Sequence, residues 1–301
     1  MTHKDKLSGV IAPLATPFIS EEVSYTDLEK NIEKYNDTGL KGYLVLGSNG
    51  EFQSLTEEES LRIVDIVQKS KAPDKTMAVG AGRESAKATV EFIKKVTDRG
   101  ADYAAVLTPH YFVRVMTDEA LINYYLSVAD RSELPIIIYH APRFSAGLKV
   151  SANMIYSLSG HKNIIGMKNT SDEDVLPYVK AVPEGAEFHI LSGNINKFYE
   201  SLIEGASGGI LSIANYLPDI CCELYDKCRS GDIDSALKMS DWAKVLSGKA
   251  SGNYGVAGVK AAMNLLGFFG GEPRIPLLPL NSDEVEELRE FFIDEGFLQD
   301  K

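Results

Sequence analysis

The residue with the clearest chemical potential in this chain is a lysine. Lys168 closes the run Asn163-Ile164-Ile165-Gly166-Met167-Lys168, an apolar stretch of the kind that forms a short buried strand. Packing alone rarely places lysine there, because burying an ammonium without a partner is costly. A desolvated amine is more readily neutral, and a neutral amine attacks carbonyl carbon to give a Schiff base without a metal. A strand-end lysine that simply reaches solvent is the commoner case, so Lys168 has to be weighed together with its surroundings.

Those surroundings are set by the elements that carry them. Short apolar runs at Gly9–Leu14, Gly42–Leu46, Met77–Val79, Tyr103–Leu107, Ile136–Tyr139, Ile164–Lys168, Phe188–Leu191 and Gly209–Ser212 read as strands. Several are continuous rather than alternating, as in strands covered on both faces. Amphipathic stretches lie between them, among them Thr26–Asn36, Thr56–Lys69, Ser85–Thr97 and Thr117–Ala129. Thr26 with Glu29, and Thr56 with Glu59, have the spacing of a capping box. Eight strands alternating with helices predict an α/β fold, an eightfold parallel β/α (TIM) barrel. An open doubly wound sheet is weakened by the lack of Gly-x-Gly-x-x-Gly after the first strand. Beyond the turn Ser230-Gly231-Asp232 only helices are expected, at Ile233–Leu246, Val256–Leu266 and Ser282–Glu295, with a Gly/Pro-rich connector from Gly267 to Pro279. The expected division is a catalytic barrel over 1–230 and a C-terminal helical extension over 231–301.

Barrel chemistry sits at the carboxyl ends of the strands. Those positions hold Gly47-Ser48-Asn49-Gly50-Glu51, Thr108-Pro109-His110-Tyr111, Tyr139, Lys168 and Ser192-Gly193-Asn194. Each has a bland alternative: Asn-Gly is a common turn pair, Tyr111 could be a surface aromatic, and Tyr139 a core tyrosine. Their joint occurrence is what argues for a site, since neighbouring strands would turn Tyr139 and Lys168 into one cavity.

Composition narrows the class. The 301 residues are 44% hydrophobic and 25% charged, with a net charge of −12 that speaks against nucleic acid as a partner. No apolar run is long enough to cross a bilayer, and Met1-Thr2-His3-Lys4-Asp5-Lys6 is not expected to open a secretory leader. Cys221, Cys222 and Cys228 fall in one predicted helix, an odd set that forms no disulfide framework and no metal site, so a reducing cytoplasm is expected.

The string Gly47-Ser48-Asn49-Gly50-Glu51, the Tyr139-x-x-Pro142 step and Gly166-Met167-Lys168 resemble the dihydrodipicolinate synthase / N-acetylneuraminate lyase family over nearly the whole chain. That resemblance implies a class I aldolase or lyase that handles pyruvate without metal or organic cofactor. It implies Lys168 as the Schiff-base lysine, Tyr139 as the proton shuttle, and Ser48 as a hydroxyl linking Tyr139 to Tyr111. Main chain around Ser48 and Asn49 would hold the pyruvate carboxylate, with Gly193 and Ile210 lining the pocket. A homotetramer is implied, Tyr111 reaching into the neighbouring subunit.

Departures from the family pattern bear on the substrate. Dihydrodipicolinate synthases usually carry an arginine five residues after the tyrosine; Phe144 stands there, in a loop one residue longer than usual, and Arg143 precedes it. Glu57 and His110 stand where feedback-inhibited synthases have a histidine and a tyrosine that help bind lysine, so that allosteric site is not expected here, and Tyr139-His140-Ala141-Pro142 stands where N-acetylneuraminate lyases have Tyr-Asn-x-Pro. Gly-Ser-Asn-Gly-Glu-Phe and the segments Gly258–Met263 and Gly270–Leu277 resemble 4-hydroxy-2-oxoglutarate aldolases more closely. The expected activity is therefore reversible cleavage of a 4-hydroxy-2-oxo acid to pyruvate, or a glyoxylate-type fragment, and an aldehyde. Dihydrodipicolinate synthase, then a 2-keto-3-deoxy-sugar-acid aldolase or a dehydratase, are the alternatives. A binding protein on a dead barrel is disfavoured by the intact Lys168, Tyr139 and Ser48. Arg143 is the candidate anchor for a distal carboxylate, set against the reading of a solvated loop charge.

Overall fold

Eight parallel strands whose every residue is buried close on themselves in the computed structural model, which describes residues 2–300. Met1 and Lys301, the outer ends of the two expected domains, lie outside the described residues. In chain order the strands are β1 (Gly9–Pro13), a short antiparallel hairpin of β2 (Phe18–Ile19) and β3 (Glu22–Val23), β4 (Gly42–Val45), β5 (Thr76–Gly80), β6 (Tyr103–Leu107), β7 (Ile136–His140), β8 (Ile164–Asn169), β9 (His189–Ser192) and β10 (Gly208–Ile210). The hairpin stands outside the barrel, whose order is β1-β10-β9-β8-β7-β6-β5-β4, with β4 returning to β1. The eightfold barrel expected from the sequence is therefore the fold; the hairpin was not anticipated.

Around it run α2 (Tyr25–Asn36), α3 (Glu57–Ser70), α4 (Ala86–Thr97), α5 (Asp118–Ala129), α6 (Ala152–Leu158), α7 (Leu176–Ala181), α8 (Phe198–Ile203) and α9 (Pro218–Ser230), after a short α1 (His3–Leu7) before β1. Thr56 and Glu59 form the expected capping box of α3. Thr26 does not cap α2, because that helix starts two residues earlier than such a cap requires, after Ser24; the Ser24 hydroxyl donates to Asp27 instead, and Glu29 pairs with Lys69 at 3.0 Å. No helix among the described residues is long and apolar enough to cross a membrane.

The barrel interior is filled by Ile11, Leu44, Ala78, Tyr103, Ala105, Ile137, Ile165, Leu191 and Ile210, together with Leu7 of α1. One irregularity interrupts the ladder. Ile136 pairs with Ile164 but Ile137 pairs with Gly166, which leaves Ile165 as an extra residue on β8. Such a bulge shifts the in-out alternation by one. Ile165 keeps its place in the interior, and Lys168, three residues on, comes level with Tyr139 and faces the same way.

The C-terminal helices are α10 (Ile233–Ser247), α11 (Asn253–Leu265) and α12 (Ser282–Asp294), with a π-helical turn, Gly248–Gly252, joining the first two. They are tied to the barrel mouth by buried charge. Lys260 Nζ lies 2.6 Å from Glu51 Oε1, both side chains being almost wholly enclosed, and it donates to the Glu272 carbonyl at 2.9 Å. Arg274 makes a two-pronged contact with Glu59, at 3.0 and 2.7 Å, and donates to the Ser54 carbonyl at 2.7 Å. Burial pushes the Lys260 amine down to about 8, the Glu51 charge only partly opposing it.

That shift fixes the sign of a pH effect. The folded chain gives up the Lys260 proton near pH 8, the unfolded chain near 10.5, so burying the ammonium costs stability below pH 8 and the cost is relieved as pH rises from 8 to 10.5. Glu51→Gln removes the countercharge and should destabilise the protein by about 3 kcal/mol at pH 6. At pH 9.5 the amine is neutral and the difference should largely vanish. Urea unfolding of both proteins at the two pH values checks this; a pH-independent loss would mean that packing, not charge, is at stake.

Candidate active site

The carboxyl ends of β4, β7, β8 and β9 and the segment after β10 meet at a cavity of about 260 Å³. Ser48 enters it from the turn that follows β4. Leu46 and Glu51, on either side of that turn, have φ of 58° and 52°, a region that side chains larger than glycine rarely adopt. The turn closes through Gly50 N to Gly47 O at 3.0 Å and Glu51 N to Ser48 O at 3.1 Å, and Thr16 donates to the Gly50 carbonyl at 2.8 Å. Among the described residues, the amides of Ser48 and Asn49 find no acceptor. The Asn49 side chain donates to Ser212 Oγ at 2.8 Å, which bridges the β4 and β10 ends.

Tyr139 is buried, its ring packed on Leu107, Ala141 and Phe52, and its hydroxyl is 3.1 Å from Ser48 Oγ. Lys168 is only 4% exposed. Its Nζ stands 4.3 Å from the centre of the Tyr139 ring and meets no carboxylate among the described residues. Gly193 passes so close that a Cβ there would sit 2.5 Å from Thr170 Cγ2, which would have to move, and 3.1 Å from Lys168 Cε, a tight contact at the lysine's stem. Its amide donates to the Asn169 carbonyl at 2.6 Å, which holds the β9 loop against β8.

Ser48, Asn49, Tyr139, Lys168 and Gly193 are thus brought together, as expected from the sequence, and Arg143 joins them at the rim. Two expected residues do not line this cavity. Ile210 is buried in the barrel interior beneath it. Tyr111 is 78% exposed and faces a separate cavity with Gln53, Arg83, Glu84 and His110. Its loop is drawn outward because Glu84 accepts the backbone N–H of His110 and of Tyr111. Within one chain the relay therefore runs from Tyr139 to Ser48 and stops. The arrangement sets an amine beside a pair of hydroxyls, with two amides in the neighbouring turn that meet no acceptor among the described residues.

The chain matches the Dihydrodipicolinate synthetase family over residues 6–293. It belongs to that family. A probable mitochondrial 4-hydroxy-2-oxoglutarate aldolase of Emericella nidulans is 30% identical over 303 residues, covering 97% of this chain and 96% of the relative. An L-threo-3-deoxy-hexylosonate aldolase of Hypocrea jecorina is also 30% identical, with 94% of each chain covered. A chloride-inhibited dihydrodipicolinate synthase from Acinetobacter baumannii, solved in complex with pyruvate, superposes with a TM-score of 0.88 at 26% identity, covering 97% of this chain and all of that one.

Within this family fold, part of the cavity wall was not foreseen from the sequence. Ser247 reaches it from the end of α10, Ser251, Gly252, Gly255 and Val256 from the π-helical turn and the start of α11, and Thr170, Asp172 and Asn196 from the loops after β8 and β9. The crowding of glycine and serine from Ser247 to Gly255 was the available signal, since such a run breaks a helix.

Behind the site lies a group the sequence reading used only as a family departure. His140 follows Tyr139 on β7 and is fully buried on the outer face of the barrel, its ring 5.9 Å from that of Tyr178. Neither ring nitrogen has a hydrogen-bond partner among the described residues. Burial lowers its pKa to about 4, opposed by the Glu173 charge and by the nearby Asn169 side chain, which lies outside hydrogen-bonding geometry. The folded chain thus keeps His140 neutral between pH 6.5 and 4 while the unfolded chain takes up a proton, so stability is lost as pH falls through that window. Lowering pH from 7 to 5 should cost about 2 kcal/mol through this group. His140→Phe, which keeps a ring and cannot titrate, should lose that share of the acid sensitivity in urea melts at the two pH values. An unchanged acid slope would assign the sensitivity to other groups.

Proposed function

We propose that the protein is a Schiff-base aldolase that reversibly cleaves a 4-hydroxy-2-oxo acid into pyruvate and an aldehyde. The observation that carries this reading is the buried Lys168 amine set against the Tyr139 ring, with the Tyr139 hydroxyl 3.1 Å from Ser48. The aldolase names of the Emericella and Hypocrea relatives, and the pyruvate bound by the Acinetobacter synthase, support it.

In this mechanism the 2-oxo acid places its carboxylate on the free Ser48 and Asn49 amides. Lys168 Nζ attacks C2, and loss of water gives a protonated imine whose charge can rest against the Tyr139 ring. Tyr139, through Ser48, takes the proton of the C4 hydroxyl. The C3–C4 bond then breaks: C4 leaves as an aldehyde, and the electron pair enters the imine to form an enamine. Protonation at C3 and return of the water release pyruvate and the free amine. Positioned acid-base groups of this kind contribute about 10²–10⁴ in rate.

A synthase that condenses pyruvate with an aldehyde forms the same Lys168 imine and enamine, reaching the enamine by loss of a C3 proton instead of C3–C4 cleavage, and is the second reading. Phe144 weighs against it, because it stands where synthases resembling this chain carry an arginine. The three cysteines, all free thiols, fit a reducing compartment such as the cytoplasm.

Pyruvate with borohydride should add a three-carbon label to Lys168, located by peptide mapping. Lys168→Arg should take up no label and show no turnover, since guanidinium stays protonated; Tyr139→Phe should keep its fold and lose about 10²–10⁴ in turnover. A label on another lysine would end this mechanism.

We also propose a homotetramer in which Tyr111 completes a neighbour's site. Tyr111 and Phe112 project as an exposed aromatic pair, 78% and 66% exposed. Beside the active cavity lies an apolar one of about 530 Å³, lined in part by Phe52, Leu107, Phe144 and Leu277, that reaches Ser48. An exposed apolar pair and a neighbouring apolar cavity fit a surface that self-association covers. Light scattering should give four copies, and Tyr111→Ala should weaken turnover; a fully active monomer would contradict both.

A further inference from the structure

We infer that Asp172 selects the substrate, admitting 2-oxo acids whose far end is a neutral hydroxylated chain and turning away those that end in a second carboxylate. The inference rests on the aldolase reading above and names the substrate class for it: 2-oxo-3-deoxy aldonic acids, cleaved to pyruvate and a hydroxyaldehyde.

Two cationic side chains line the cavity, Lys168 at its floor and Arg143 at its rim. A dicarboxylic substrate, its first carboxylate held near Ser48, has only Arg143 to receive the second. Arg143 is already engaged. Its Nη2 donates to Asp172 Oδ2 at 3.0 Å, and the other oxygen, Oδ1, accepts from Asn194 Nδ2 at 2.9 Å. Asn194 also reaches the Ser171 carbonyl at 3.4 Å, so the amide that holds Asp172 is itself fixed to the loop carrying it.

The Arg143–Asp172 pair is exposed, and such pairs are weak. An incoming carboxylate could take Arg143, but Asp172 would remain held by Asn194, one anion facing another. A hydroxyl meets no such conflict. It can donate to Asp172 and accept from Arg143 or Asn194, leaving the pair intact. The remaining distal wall adds Asn196, Ser247 and Ser251, which are donors and acceptors without charge. Several such groups suit a chain bearing a hydroxyl on successive carbons better than a two-carbon acid.

The test measures cleavage by the purified full chain of racemic 4-hydroxy-2-oxoglutarate and of 2-oxo-3-deoxyhexonate as a mixture of C4 epimers. Wild type should favour the hexonate by at least about tenfold in kcat/KM. Asp172→Asn keeps the shape and frees Arg143. It should lower KM for the dicarboxylate by about tenfold with little change in kcat, and raise KM for the hexonate. A wild-type preference for the dicarboxylate, or an equal change on both substrates in the variant, overturns the inference. Borohydride trapping of pyruvate runs on the same preparations. A labelled Lys168 with the wrong preference sinks the role of Asp172 alone, whereas no label sinks the aldolase reading and this inference with it.

Discussion

Side chains of a strand alternate between two faces, so on a regular β8 an inward Ile165 would send Lys168 outward, into the layer between barrel and helices. The extra residue at Ile165 reverses that parity: Gly166 pairs with Ile137, and Lys168 comes level with Tyr139 at the mouth. Everything else in the site is arranged around an amine held there. Gly193 is bare because a Cβ there would run into Thr170 and crowd the stem of Lys168, and the Tyr139 ring supplies the face that the amine meets in place of a carboxylate. The same parity sends His140 and Met167 outward, where Met167 joins the apolar layer beneath the helices and His140 stays unprotonated at neutral pH.

The barrel alone leaves the mouth half built. The Ser48 turn is strained at both ends, and strain of this kind persists only where the surroundings hold it. Here the hold comes from the far end of the chain: Lys260 and the Arg274 amide take the two oxygens of Glu51, the left-handed residue that ends the turn. In return, the interrupted helix between Ser247 and Gly255 is laid across the opening and contributes hydroxyls to the cavity wall. The Ser48 turn and the C-terminal helices are thus one mechanical unit, linked by a buried charge that would be costly to break.

On the proposed reading, the site separates generic chemistry from selectivity. Amine, tyrosine, serine and open amides sit at the floor on strand ends, where the barrel ladder fixes them. Arg143, Asp172 and Asn194 sit on loops at the rim, exposed and joined by side-chain contacts. Loops can change while the ladder stays, which is how one barrel serves many substrates.

Local patterning in the sequence was enough for the eight apolar runs, the capping box at Thr56–Glu59 and the reactive residues at the strand ends, because each follows from neighbours a few positions apart. Lys168, Tyr139, Ser48, Asn49 and Gly193 were legible for that reason, and through their likeness to a family. The misplaced cap at Thr26 shows the limit even locally: the N-cap position falls two residues earlier, at Ser24, and Glu29 pairs with Lys69, forty residues away. The outward swing of Tyr111, the burial of Ile210 below the cavity, the pairing of Arg143 with Asp172 and the closing of the mouth by Ser247–Gly255 each join residues far apart in the chain. No local pattern encodes those distances. They are set when the barrel closes and the C-terminal helices bury Lys260 against Glu51, so the chemistry was written in the sequence while its geometry, and the choice of substrate that depends on it, waited for the fold.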